Sequence, residues 1–205
     1  EYLLWRLRAD ARYSYGSMDY SGSGTSDGVA DDVFEGRVTI GRAVLLGSQD
    51  RSRITPYFGY GYRRLYDYSG GTITSTGALG YDRLSQYHYV PVGIEGLFFL
   101  GSNFSLRPTI EYDHLIHGTQ DSYLSQTGLF DDVHNSQGSG YGVRAALMLG
   151  TMLGSWRTEF GPFLRYWNIE QSDTARLTVA GVVVGSGWEP ANETWEAGLA
   201  LKFQF

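Results

Sequence analysis

Four histidines, His88, His114, His117 and His134, are the obvious candidates for proton-transfer chemistry in this 205-residue sequence. His88 and His114 are the candidate catalytic pair. A turn that pairs Leu100 with Phe104 sets Val90 opposite His114 on neighbouring strands and leaves His88 on a diagonal within side-chain reach. Nucleophilic catalysis also needs a hydroxyl and an acid on the histidine's side of the strand. Ser85 and Asp113 have the opposite parity and point to the other face, so the plainer reading is two histidines in an interfacial aromatic belt. The paired carboxylates Asp31-Asp32 and Asp131-Asp132 are oxygen donors of the kind Ca²⁺ takes, but no twelve-residue loop with spaced ligands surrounds them. No metal site is assigned, and acidic loops are ordinarily just solvated. Gly59-Tyr60-Gly61 has the look of a phosphate loop, yet it lies mid-strand with no helix after it. Its glycines are read instead as places where bulky neighbours come close. No cofactor is implied.

The elements that must carry these residues read as strands. Eight segments alternate apolar and polar side chains with period two: 2–20, 33–46, 53–68, 83–100, 104–117, 140–149, 156–170 and 193–205. Each is at least about as long as the roughly 9–11 tilted residues that cross a bilayer as a strand. The connections 47–52, 101–103 and 150–155 are short, whereas 21–32, 69–82, 118–139 and 171–192 are long and rich in Gly, Ser, Thr and Asp. Short and long connections alternate, so the chain is an up-and-down meander with all four long loops at one end. One all-β domain over 1–205 is expected, an eight-stranded antiparallel transmembrane β-barrel.

Composition agrees. Aromatics make up 15 % of the chain, with 16 Tyr, 28 Gly and 5 Pro, a mix that suits strands and turns. Without cysteine there is neither a disulfide framework nor thiolate chemistry. A net charge of −6 with no basic patch argues against a nucleic-acid partner. No apolar run is long enough for a transmembrane helix, but a barrel gives only every second residue to lipid.

Alternation alone does not say which face is inside. Charges of both signs recur mid-strand, and aromatics gather at both ends of the apolar face, as in interfacial girdles, so the apolar face is assigned outward. The interior of so narrow a barrel is filled by side chains. Arg6, Arg8, Arg12, Arg37, Arg63, Arg107, Arg144 and Arg165 would meet Asp10, Glu35, Asp67, Glu95, Glu111, Asp113, Glu159 and Glu196 in an ion-pair network of nearly balanced sign. This is a plug rather than a pore: planar-bilayer recordings should show negligible conductance, and steady open-channel currents from pure protein would contradict it. Leu177, Val179, Val182, Val183 and Val184 make the fourth loop apolar and β-prone, with Gly181 in or near a turn. They are candidates for contact with a partner or lipid, or for a lid packed over the mouth.

The final strand, Trp195 to Phe205, alternates strictly and closes on an aromatic residue. With the eight segments and the loop asymmetry, it resembles the small outer-membrane barrels, namely the membrane domain of outer membrane protein A and the adhesion/invasion-type barrels. Glu111-Tyr112-Asp113-His114, Arg165-Tyr166-Trp167-Asn168 and Trp188-Glu189-Pro190 resemble stretches of uncharacterised proteobacterial outer-membrane barrels. The resemblance implies a Gram-negative outer-membrane location, contact with lipopolysaccharide, and a barrel-assembly machinery that reads Phe203 and Phe205. The chain is accordingly read as a non-enzymatic anchor whose four long loops recognise a partner, as in adhesion, or tie the membrane to other envelope components, with a protein partner at the loops or at the periplasmic end. The alternatives are a lipid A-modifying enzyme built on His88 or His114, and a porin-like passage for small hydrophobic molecules.

Overall fold

The computed structural model describes residues 4–46, 52–153 and 156–204, excluding the side chain of Gln204. Its strands are β1 (Leu4–Gly22), β2 (Gly24–Leu45), β3 (Arg53–Asp67), β4 (Arg83–Leu100), β5 (Phe104–Ser122), β6 (Val133–Gln137), β7 (Gly140–Leu153), β8 (Trp156–Ile169), β9 (Ala175–Val179), β10 (Val182–Gly187) and β11 (Asn192–Gln204). Eight of them form one antiparallel sheet in the order β1-β2-β3-β4-β5-β7-β8-β11, each strand beside its predecessor in the meander. The sheet is strongly curled, as a half-barrel. Among the described residues no backbone ladder joins β1 to β11, yet the Arg12 guanidinium of β1 donates to the Glu196 carboxylate of β11.

β7 runs on through Met152 and Leu153, both exposed, inside the expected connection 150–155. The larger departures from the expected strand boundaries fall where both faces of a ladder are polar. The connection read as a long first loop, 21–32, is largely strand. β1 and β2 stay paired up to Gly22 and Gly24, and Gly24 turns the chain with φ 123°. Above the apolar band neither face needs burial, so alternation vanishes while hydrogen bonding continues. For the same reason β5 runs five residues past His117, and β6 pairs with its end inside what read as the third loop. The fourth loop forms its own hairpin, β9–β10. Ala180 and Gly181 both take positive φ, 47° and 79°, the two-residue turn that suits a tight hairpin.

One bulge re-aims side chains. His88 pairs with His117 and Tyr89 with Leu115, leaving Ile116 without a cross-strand partner. His88 therefore lies opposite His117, not diagonal to His114, although Val90 does face His114. Beyond the bulge the parity of β5 inverts. Gly118, Gln120 and Ser122 are the buried positions there, and Ile116 and His117 are both exposed. Leu115, before the bulge, keeps the inward parity of Asp113 and joins Tyr87, Tyr89, Trp167 and Ile169 in the buried core.

Inward glycines make room for that core. Tyr89 lies directly across from Gly61, Tyr57 from Gly93, Tyr87 from Gly118, Trp167 from Gly142 and Phe163 from Gly198. A Cβ added at Gly61 would sit 2.1 Å from the Tyr89 ring, so the Gly59-Tyr60-Gly61 stretch serves close approach. Gly61→Val should displace Tyr89 and destabilise the fold by about 1–3 kcal/mol, read as a lower midpoint in denaturant unfolding. An unchanged midpoint would contradict this packing.

Candidate functional site

The alternation of the strands places most of their charges on the concave side; Arg42, opposite Trp5 in its ladder and exposed, and Arg64 are exceptions. Glu35, Arg63, Glu95, Arg107, Glu111, Asp113, Arg144 and Glu159 are all buried. At the centre Arg144, on β7, reaches three carboxylates from other strands. Its Nε lies 2.6 Å from Asp113 and 3.1 Å from Glu111, both on β5, and its terminal nitrogens donate to Glu35 on β2. Tyr89 completes the cluster, donating its hydroxyl to Glu35 at 2.6 Å and accepting from Arg144 at 2.9 Å. Below it, Arg37 pairs with Glu111 and lies 3.4 Å from Asp10, which also takes Arg8 at 2.5 Å. Arg107 bridges Glu95 at 2.7 Å and Glu159 at 2.8 Å, and Glu95 also accepts from Arg6. Glu196 joins Arg12 to Arg165, the latter at 2.7 Å. Charge-assisted forks of this kind offset the cost of burying ions.

Two members of the expected set stand apart. Arg63 has no carboxylate within 4.0 Å among the described residues, and its guanidinium lies over Trp167 at 5.4 Å. Asp67 sits at the long-loop end, paired with Arg83 at 2.7 Å rather than with an interior arginine. Conversely, Arg157 lies 3.2 Å from Glu159, and Arg53 and Lys202 share the inward parity of Thr55 and Glu159. Counting parity from Trp156 places Arg157 inward, so that signal was present in the sequence. The expected near-balance of interior charge is corrected: these three residues tip it toward positive.

The convex side is the converse. Leu7 is 75 % exposed, and Trp5, Val38, Phe58, Val92, Ile110, Leu149, Phe160, Trp195, Leu199 and Phe203 are all exposed. Aromatic rings contact one another around its loop-ward rim, from Tyr112 to Tyr141 to Tyr166 to Trp195. His88 belongs to the same kind of belt, with its Nδ1 2.5 Å from the Tyr60 hydroxyl and its ring stacked on His117. His114 is exposed on this face as well. Ser85 hydrogen-bonds Gln120 and Asp113 is held by Arg144, so neither of these two stands with a histidine. Ser139 and Glu170 do line the same surface hollow as His114. Arg64, the charge that breaks the apolar parity of β3, pairs with Asp32 at 3.1 Å. Phe203 lies on the convex face, and Phe205 lies outside the described residues.

The long-loop end is an ordered crown. Ser75 donates its backbone N–H to Thr25, Tyr123 to Asp82, Asp131 to Thr178 and Asp173 to Ser136, so the first segment is tied to the second, the second to the third, and the third to the fourth. Asp131 fixes the apolar hairpin, accepting from the Thr178 hydroxyl at 2.6 Å and from the Gly181 N–H at 2.9 Å. Those two bonds hold its carboxyl below the usual carboxylate range. Asp132 instead accepts from the Ser125 N–H at 2.9 Å, and Asp32 is held by Arg64 and by Tyr68 at 2.7 Å, so neither Asp-Asp pair converges on one point. Burial pushes the Glu189 carboxyl up, and Arg83, 3.7 Å away, partly offsets it. Val182, Val183 and Val184 are exposed with Val179, while Leu177 is half-buried. Neither a protein-family model nor a curated relative matches the sequence.

Arg144→Met leaves Glu35, Glu111 and Asp113 short of their shared cation and should cost about 3–5 kcal/mol in denaturant unfolding. Arg8→Met, at a half-exposed position, should cost less than about 1 kcal/mol. Equal effects would contradict the central place given to Arg144.

Proposed function

We propose that the chain is a closed eight-stranded outer-membrane barrel, not an enzyme, which anchors an ordered crown of loops for recognition of a partner or attachment to other envelope components. The observation that carries this reading is the inverted distribution of side chains, apolar on the convex face and ionic on the concave one. In water each large apolar side chain on the convex face forgoes roughly 1.5–3 kcal/mol of burial, so that face needs an apolar surrounding. A bilayer supplies it, and period-two alternation is what a membrane-spanning strand requires. The aromatic contacts at the rim suit the headgroup region.

Closure follows from the same logic. Unpaired N–H and C=O groups along β1 and β11 have no water to bond in hydrocarbon, so the two edges pair. The Arg12–Glu196 contact already brings them within side-chain reach. The crown then stands outside the membrane, and its exposed hairpin valines with Trp188 form the recognition surface.

Both parts are testable, because the sequence has no native cysteine. Antiparallel closure keeps outward positions side by side. Ala9→Cys combined with Leu199→Cys or Leu201→Cys, or Ala11→Cys with Leu201→Cys, should give a disulfide in at least one combination in membranes. Failure of all three would contradict closure. A photo-crosslinking residue at Val183 should capture a macromolecular envelope component in intact cells, whereas one at Leu147 captures only lipid. Lipid adducts alone at both positions would contradict the recognition role.

A further inference from the structure

We propose that the half of the concave interior nearest the short turns is a binding site for a phosphate-bearing anion. This goes beyond anchoring and recognition, and it depends on the curled sheet rather than on the membrane.

The first ground is charge. Six cations face this half: Arg6, Arg8, Arg53, Arg107, Arg157 and Lys202. They share three carboxylates, Asp10, Glu95 and Glu159. Glu95 alone serves Arg6, Arg8 and Arg107, while Glu159 serves Arg107 and Arg157. Among the described residues neither Arg53 nor Lys202 has a carboxylate within 4.0 Å, although Lys202 lies directly across the ladder from Glu159. An excess of positive charge held in a partly desolvated interior is costly unless an anion accompanies it.

The second ground is space. A cavity of about 140 Å³ lies among Arg6, Arg8, Arg37 and Lys202, with the carboxylates Asp10, Glu95 and Glu111, already engaged by arginines, also in its wall. At about 30 Å³ per water this is room for several waters or for one compact anion with part of its hydration. It shares Arg6, Arg8, Glu95 and Lys202 with a wider opening of about 400 Å³ between β1 and β11, so it is reachable from outside.

The third ground is the kind of donor. Arginine forks and an ammonium group suit phosphate oxygens. Thr39 and Thr55, both buried, line the same cavity and add neutral hydroxyls. A small free phosphate and a lipid headgroup that enters through the wider opening present the same chemistry to these donors.

Calorimetric titration of the folded full chain with inorganic phosphate and with pyrophosphate should show saturable binding that weakens with added NaCl. Lys202→Gln combined with Arg53→Gln should weaken it at least tenfold without lowering the unfolding midpoint, since among the described residues neither cation has a carboxylate partner. Phosphorus analysis distinguishes the sources. Stoichiometric phospholipid phosphorus on protein extracted from membranes, lost in the double variant, assigns a lipid headgroup. Binding of the inorganic ions alone assigns a free anion. Absence of both, or binding unchanged in the double variant, would overturn the proposal, as would a lowered midpoint, which would mean that the protein already neutralises these cations. A chain that forms its seam disulfide yet binds no phosphate overturns this inference and leaves the barrel reading standing.

Discussion

The structure depends on one constraint: ions placed inside a curled sheet must find counter-ions from other strands. Arg144 shows how tightly this binds the fold together. Its partners come from β2 and β5, with Tyr89 of β4 between them, so a single guanidinium sets the spacing of four strands. Register, curl and interior chemistry are coupled there. A slip of one residue in any ladder would turn its carboxylate to the outer face and leave the arginine unpaired.

The outer face follows from the same alternation. Each residue spent on the ionic interior leaves its neighbours outside, and those neighbours are leucine, valine, isoleucine, phenylalanine and tryptophan. The two faces are therefore one sequence property seen from both sides, and a soluble barrel would carry the reverse assignment. At the long-loop end this logic relaxes. Polar ladders continue past the apolar band, and backbone hydrogen bonds between neighbouring segments replace packing as the source of order.

How much of this was legible in the sequence varies with the kind of information. Strand identity was, because β3, β4 and β8 alternate over most of their length, with Arg64 the charged break in β3. The faces were too, since parity assigns Glu111 and Arg144 inward without reference to their partners. The partners were not: Arg6 and Glu95 stand 89 residues apart, and only the curl of the sheet decides that they meet. The bulge at Ile116 was invisible because nothing local marks it, and it moved His88 from His114 to His117. The extended β1–β2 hairpin was missed because Ser, Thr and Gly mark loops by habit of composition, whereas a solvated ladder tolerates them. Arg157 and Lys202 were readable by parity, and they change the interior from balanced to cationic.

The central claim is that the convex face lies against hydrocarbon while the interior is shielded from it. Fluorescence quenching by lipids brominated along their chains tests this directly, using variants that keep only Trp195 or only Trp167 and carry phenylalanine at the other tryptophan positions. In reconstituted vesicles the account predicts strong quenching of Trp195, which is 65 % exposed, and little quenching of Trp167, which is 3 % exposed. Equal quenching of the two, or a chain that stays monodisperse in detergent-free buffer with Trp195 unquenched, would contradict it.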